Sequence, residues 1–159
     1  MSETNSGEIV AARAKATRRR LQVFGAMSGV LYVLAFPGLD QAWLAPFAWV
    51  PVLVAVRGAT VKDAFFAGWA MGFVSHLGGF YWVTHLLSQF AHAPLPLAVA
   101  GWLLLCVVQG ASYGVGIALA SFVRRRLGWS WWAAAAVGLT AMDFVYPLLF
   151  PSYVGNTLH

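Results

Sequence analysis

The sequence predicts an all-α polytopic membrane protein with about five transmembrane helices and a disordered basic N-terminal tail. Hydrophobic residues make up 60% of the 159 residues and charged residues only 9%, whereas a soluble domain is about 45–50% apolar and about 25% charged. The mean hydropathy is +0.72. This apolar excess is more than a water-facing surface can accommodate, so we expect lipid to surround much of the chain.

The positive charges support the same class. All 10 Lys and Arg residues fall within residues 13–20, 57–62 and 124–126, and long apolar stretches separate these clusters. Cytoplasmic connectors retain Lys and Arg whereas translocated connectors do not, so we place all three clusters in the cytoplasm. Because the clusters flank apolar spans and form no stripe with base-stacking aromatics, we expect membrane lipids as partners and no nucleic acid.

The N-terminal part consists of a polar tail and two short apolar segments. Residues 1–20 are polar and mixed in charge, which predicts a disordered cytoplasmic tail. The apolar segments cover residues 21–36 and 42–56, and each is roughly 23 Å long as a helix, which is short for a hydrocarbon core of about 30 Å. Pro46 and Pro51 also interrupt the second segment. The pair therefore forms either two short spans or a re-entrant hairpin.

Three longer apolar segments follow. Gly68 and Gly72 lie four residues apart in the first of them, and small residues at this spacing let helices approach closely in lipid. The connector at residues 92–96 contains two prolines and no Lys or Arg, as expected of a translocated loop. The predicted third, fourth and fifth spans are residues 63–89, 97–123 and 133–150.

These spans and the charge clusters together predict an orientation. The tail is cytoplasmic, and the arginines at 124–126 place the start of the fifth span inside. His159 then lies on the outer side of the membrane.

Few polar side chains lie within the spans, and each one is a functional hypothesis. His76 and Asp143 lie roughly 20 Å along their helices, at similar depth, so we predict that they form a buried polar pair. Pairing would lower the cost of each in lipid. The alternative is that Asp143 is protonated, or bonds Gln109 or Tyr146.

Tyr81, Trp82 and His85 lie near the outer end of the third span. His85 is one turn from Tyr81, so the two share a face. The group forms either an aromatic girdle at the lipid interface or a lining for a lipid or peptide that enters from the outer leaflet. His76, His85 and His92 do not have the spacing of zinc ligands, and we predict neither a metal site nor a cofactor.

Cys106 is the only cysteine, which excludes an internal disulfide and any CxxC motif. It lies within an apolar run, where a thiol behaves as a small packed hydrophobe. The sequence contains no Gly-rich phosphate loop, no nucleophile elbow and no Cys beside a His. The residues alone therefore indicate a helical membrane bundle of unknown activity.

Five short motifs follow one another in a distinctive order. They are Leu-Ala-Phe-Pro at 34–37, Leu-Ala-Pro-Phe-Ala-Trp-Val-Pro at 44–51, Ala-Phe-Phe-Ala-Gly-Trp at 64–69, Gly-Gly-Phe-Tyr-Trp-Val at 78–83 and Pro-Leu-Pro-Leu at 94–97. This ordered set resembles the start of the apolipoprotein N-acyltransferases. The resemblance covers about residues 21–159. It departs at Asp143, where that family has Glu followed by Leu-Arg-Gly, so no specific role is carried onto this position.

The resemblance implies an enzyme of lipoprotein maturation. Members of the family transfer an acyl chain from a phospholipid donor to the α-amino group of the diacylglyceryl-cysteine at an apolipoprotein N-terminus. The reaction passes through a thioester on a cysteine of a periplasmic nitrilase-like domain, and a covalent intermediate of this kind splits one acyl transfer into two easier steps.

The cytoplasmic tail at residues 1–20 precedes the resemblance, which implies an N-terminal transmembrane domain at residues 21–159. The nitrilase-like domain is absent from these residues, so we expect a truncated, inactive chain with no catalytic residue. Two alternatives remain open. One is a small self-contained membrane protein that binds lipid or scaffolds a partner. The other is a transporter subunit, which the lack of a visible inverted repeat disfavours.

Overall fold

The computed structural model describes residues 2–36 and 41–146, with the side chains of residues 12–36, 41, 43–144 and 146. Every regular element in these ranges is helical, which confirms the all-α class. Two short 3-10 turns, Ala42–Leu44 and Val56–Gly58, flank the second and third helices. The helices are α1 Ser2–Leu34, α2 Ala45–Ala48, α3 Val50–Ala55, α4 Val61–Gly79, α5 Trp82–Phe90, α6 Leu95–Leu127 and α7 Trp131–Val145.

The prediction of a disordered tail is wrong for residues 2–20, which belong to α1. Residues 8–24 contain neither Gly nor Pro and include several Ala and Arg residues, which favour helix. Once residues 21–34 are held by packing, each further turn adds hydrogen bonds without a new nucleation cost. Polarity alone therefore did not predict disorder here.

The segment after α1 returns antiparallel to it. The Val52 amide donates to Ser28 Oγ over 3.0 Å, and the ring centroids of Trp49 and Tyr32 lie 6.2 Å apart. Pro46 and Pro51 each lie in the first turn of a helix, α2 and α3, where a missing backbone N–H costs no helical bond. The prolines thus divide the predicted second segment into two short helices.

α1 and α4 are parallel and in close contact. An added Cβ at Gly29 would lie 2.6 Å from the Met71 carbonyl oxygen, and one at Gly78 would lie 2.5 Å from a methyl group of Val33. Residue numbers increase together along both helices in these contacts, so α1 and α4 run in the same direction. The antiparallel segment 41–58 makes this possible, because it brings the chain back to the end at which the packed part of α1 begins.

α4 and α6 pack antiparallel through glycines. An added Cβ at Gly68 would lie 2.6 Å from the Tyr113 carbonyl oxygen, and one at Gly72 would lie 2.8 Å from the Gly110 Cα. The prediction that these two glycines allow close helix approach is confirmed. α6 and α7 repeat the arrangement, because an added Cβ at Gly138 would lie 2.8 Å from the backbone nitrogen of Ala120.

The predicted third span is not one helix. α4 ends at Gly79 and α5 begins at Trp82, after two consecutive glycines, which are poor helix formers. Phe80 and Val83 are buried beside Leu105 of α6, and this packing holds α5 in place. The break therefore separates two helices where the sequence predicted a continuous one.

The last two helices begin near the predicted positions. α6 extends to Leu127 and ends at Gly128, whose φ of 67° is the left-handed conformation that glycine adopts without strain. Ser130 caps α7 by accepting a hydrogen bond from the Ala133 amide over 3.3 Å. The part of the predicted fifth span beyond residue 146 lies outside the described residues. Of the helices that the structure describes, α6 alone is both long and apolar enough to cross a bilayer.

The three basic clusters meet at one end of the helix bundle. Arg18 Nε lies 2.9 Å from Asp63 Oδ1 at the start of α4. Ser121 Oγ, near the end of α6, donates to the Ala59 carbonyl over 3.2 Å, and the Arg57 guanidinium lies 5.8 Å from the Trp132 ring centroid. These contacts join the N-terminal cluster, the first basic connector and the second.

Candidate functional site

A layer of polar and aromatic side chains crosses the buried core between α1, α4 and α6. Tyr32 and Tyr113 are almost completely buried, and their ring centroids lie 6.0 Å apart. His76 lies 5.5 Å from the Tyr113 ring and 4.9 Å from the Phe80 ring, between centroids. The sequence reasoning missed both tyrosines, although a tyrosine in the middle of an apolar segment was a usable signal.

His76 has a defined proton arrangement. Its Nδ1 lies 2.6 Å from the Gly72 carbonyl oxygen, and because a carbonyl only accepts, Nδ1 carries the proton. Its Nε2 is buried with no hydrogen-bond partner among the described residues. This nitrogen is therefore an unused acceptor in the core.

A cavity of about 10 Å³ lies beside this histidine. A cavity of that size holds one water molecule at most. A water there could donate to an unpaired acceptor such as His76 Nε2, but a substrate would not fit. The residues that line the cavity are Tyr32, Phe36, Ser75, His76, Gly79, Phe80 and Tyr113.

The structure shows no hydrogen bond between His76 Nε2 and Asp143 Oδ1, which belong to the two residues predicted to pair. Asp143 Oδ1 and His76 Nε2 are both buried without a hydrogen-bond partner in the described part of the chain. Tyr146, an alternative partner for Asp143, donates its hydroxyl proton to the Val108 carbonyl over 2.6 Å. The pairing therefore stays a prediction.

Tyr81, Trp82 and His85 lie together at the break between α4 and α5. The Tyr81 side chain is 69% exposed and that of Trp82 is 41% exposed, and His85 is also exposed. The break directs these side chains outward because the neighbouring Phe80 and Val83 take the inward positions. This end also exposes apolar side chains of α5 and α6, namely Phe90, Leu95 and Leu97.

The buried layer and the exposed break are connected through Phe80. Its ring lines the small cavity and lies 6.2 Å from the Trp82 ring, between centroids. Phe80 therefore lies between Trp82 at the break and His76 in the buried layer. We treat the break as the candidate site and the buried layer as its support.

Comparisons with known proteins agree with the motif order. The family model described as the apolipoprotein N-acyltransferase N-terminal domain matches residues 28–159. The chain is 26% identical to an apolipoprotein N-acyltransferase of Bdellovibrio bacteriovorus over 139 residues, which is 84% of this chain and 24% of that protein. It is 31% identical to one of Geobacter metallireducens over 81 residues, which is 51% of this chain and 16% of that protein.

The matched part is thus about a quarter or less of these curated relatives. No solved structure matches the chain significantly.

Proposed function

The chain belongs to the apolipoprotein N-acyltransferase family, and from this premise we propose that its helices form the membrane part of a phospholipid-dependent acyltransferase. The whole enzyme N-acylates the lipidated N-terminal cysteine of apolipoproteins during lipoprotein maturation. The observation that carries the proposal is the family match over residues 28–159. The relatives are named as enzymes of this activity, and their remaining length accommodates a separate catalytic domain.

In this proposal the bundle crosses the bacterial inner membrane about five times, with its N-terminus in the cytoplasm and His159 in the periplasm. The gathering of the three basic clusters at one end supports a single cytoplasmic face. The many exposed large hydrophobic side chains support a lipid-facing surface, since a soluble surface rarely exposes large apolar patches.

Reporter fusions test this topology. A periplasm-active phosphatase joined after His92 is expected to be active, and one joined after Gly128 is expected to be inactive. Activity at both positions, or the reverse pattern, would contradict the proposed orientation.

Tyr81, Trp82 and His85 are proposed to contact a lipid substrate in the outer leaflet, either the phospholipid donor or the diacylglyceryl chains of the apolipoprotein. Aromatic side chains that are apolar on their faces and polar at one edge suit the interface between acyl chains and head groups. Their exposure at the break and the apolar side chains beside them support this role. The site would hold and orient substrate rather than carry out the chemistry.

Photocrosslinking tests the site directly. The reconstituted chain is irradiated with a phospholipid that carries a photoreactive acyl chain, and peptide mass spectrometry then locates the adducts. Adducts are expected to be enriched around Tyr81 and reduced in Tyr81→Ala. Phe122, an exposed hydrophobic residue near the other end of α6, is the matched control, and equal labelling at the two positions would contradict a specific site.

The 159 residues alone are proposed to be inactive, because the family's reaction takes place on a cysteine of a nitrilase-like domain that these residues do not include. Cys106 is completely buried in the bundle and cannot act as the nucleophile. The test is expression of this chain in a strain depleted of its own N-acyltransferase, followed by mass analysis of lipoprotein N-termini. Diacylated lipoproteins are expected, and restored triacylation would overturn the claim of inactivity.

A further inference from the structure

A second cavity lies at the opposite end of the bundle from the aromatic break. Its volume is about 310 Å³, and it opens where the first basic connector meets the end of α6. An added Cβ at Gly58 would meet nothing within 4 Å, so this side is open. The lining residues are Arg57, Gly58, Ala59, Ser121, Arg124 and Arg125.

Tertiary contacts bring the three arginines together from two distant stretches of chain. The Ser121–Ala59 hydrogen bond of 3.2 Å ties the connector to α6. Arg57 lies 5.8 Å from the Trp132 ring centroid, and Arg124 lies 6.0 Å from that of Trp131. The packing at the start of α7 thus positions two of the guanidinium groups at the cavity.

The charge of this cavity is not balanced by the residues around it. No Asp or Glu is among its lining residues. Asp63, an acidic residue at this end whose side chain the structure describes, is already engaged by Arg18 at 2.9 Å and by the Thr60 hydroxyl at 2.8 Å. Three neighbouring positive charges repel one another, and a bound anion would relieve that repulsion.

The chemistry of the cavity suits a phosphate group. The planar guanidinium binds phosphate oxygens with two parallel N–H donors, and Arg is therefore favoured wherever phosphate is recognised. Basic pockets between helices on the cytoplasmic side of membrane proteins bind anionic lipid head groups. Free phosphate shares the same chemistry, so the surroundings of the cavity decide between the two.

The surroundings favour a lipid. Phe122, Leu127, Trp129 and Trp132 are all exposed close to the cavity lining in sequence, and tryptophans of this kind mark the boundary between acyl chains and head groups. We propose that the cavity binds the phosphate of an anionic phospholipid from the leaflet at the basic end, with Arg57, Arg124 and Arg125 as its ligands. The proposal rests on the chain lying in a bilayer and is independent of acyl transfer.

Native mass spectrometry of the detergent-purified chain tests the proposal. The chain is incubated separately with phosphatidylglycerol and with phosphatidylcholine, and the bound lipid is counted at each concentration. We expect one tightly held phosphatidylglycerol and weaker binding of phosphatidylcholine. The variant Arg57→Gln/Arg124→Gln/Arg125→Gln is expected to bind phosphatidylglycerol roughly a hundredfold more weakly.

The matched control removes the same charge from the N-terminal cluster, in Arg13→Gln/Lys15→Gln/Arg19→Gln. These residues do not line the cavity, so their replacement is expected to change affinity by no more than about threefold. An equal loss of affinity for phosphatidylglycerol in both triple variants would mean that the positive charges attract the lipid diffusely. That result would overturn the proposed site. Displacement of the lipid by millimolar inorganic phosphate would also overturn the choice of lipid over free phosphate.

A pair of single variants guards against misfolding, because Arg57 and Arg124 also contact tryptophans. Arg125 lines the cavity and is exposed, whereas the neighbouring Arg126 is exposed but lies outside it, near the Phe122 ring. Arg125→Gln is expected to weaken phosphatidylglycerol binding about fivefold and Arg126→Gln less than about twofold. Equal effects of the two variants would refute the assignment.

Discussion

The contact between α4 and α6 at Gly72 offers the sharpest test of the fold. Replacement of Gly72 by Ala adds a Cβ that would lie 2.8 Å from the Gly110 Cα and still closer to the Gly110 carbonyl oxygen. Carbon atoms in good contact lie about 3.5–4.0 Å apart, so the helices must separate locally by about 0.7–1.2 Å. Because backbone atoms form the obstacle, no side chain can rotate away to make room.

Two opposing effects determine the expected change in the free energy of unfolding. Overpacking of this kind costs about 1–3 kcal/mol, and we take the upper value because backbone obstructs the methyl group. Ala in place of Gly recovers about 1 kcal/mol of helix propensity. The net loss in the free energy of unfolding for Gly72→Ala is therefore about 2 kcal/mol.

Titration of the detergent-solubilised chain with sodium dodecyl sulphate, followed by far-ultraviolet circular dichroism, measures this loss. Gly58→Ala is the matched control, since the added methyl group meets nothing within 4 Å, and it should change stability by no more than about 0.5 kcal/mol. If Gly72→Ala proves as stable as Gly58→Ala, α4 and α6 do not pack closely at Gly72.

Three further predictions concern contacts elsewhere in the bundle. Ser28→Ala removes the acceptor of the buried Val52 amide and should lower the free energy of unfolding by about 1–3 kcal/mol in the same titration; an unchanged midpoint would contradict this. A double-mutant cycle on Arg18 and Asp63 should give a coupling below about 1 kcal/mol, because the Arg18 side chain is 45% exposed, and a larger value would mean a less solvated pair. Cys106 is completely buried, so a maleimide should label it only after unfolding, and rapid labelling of the folded chain would be inconsistent with the core packing.

Much of the fold could be predicted from the amino-acid pattern. The predicted starts of α6 and α7, residues 97 and 133, lie close to the observed starts at Leu95 and Trp131, because long apolar runs between turn residues have few alternatives. The close contacts of Gly68 and Gly72 were also predictable, since small residues four apart share one helix face. Helix in residues 2–20 was not predicted, because polarity was taken as disorder while the propensity of the Ala and Arg residues was given too little weight.

The candidate site was predictable only in part. Tyr81, Trp82 and His85 were selected by their aromatic character near the end of a span, but the break that exposes them depends on how Phe80 and Val83 pack against α6. The polar layer around His76 was not predicted, because it also contains Tyr32 and Tyr113 from two other helices. Residues from distant parts of the chain meet only through packing, and no local pattern reports this.

The sequence by itself determined the helical class, the family and the segregation of positive charge into three clusters, because composition, motif order and charge spacing are local properties of the chain. The tertiary structure alone decided that α1 and α4 run parallel, that the clusters meet at one end, and that Arg57 lines one cavity with Arg124 and Arg125. The physical reason is that these outcomes depend on the close approach of helices through glycine and serine contacts between residues far apart in sequence.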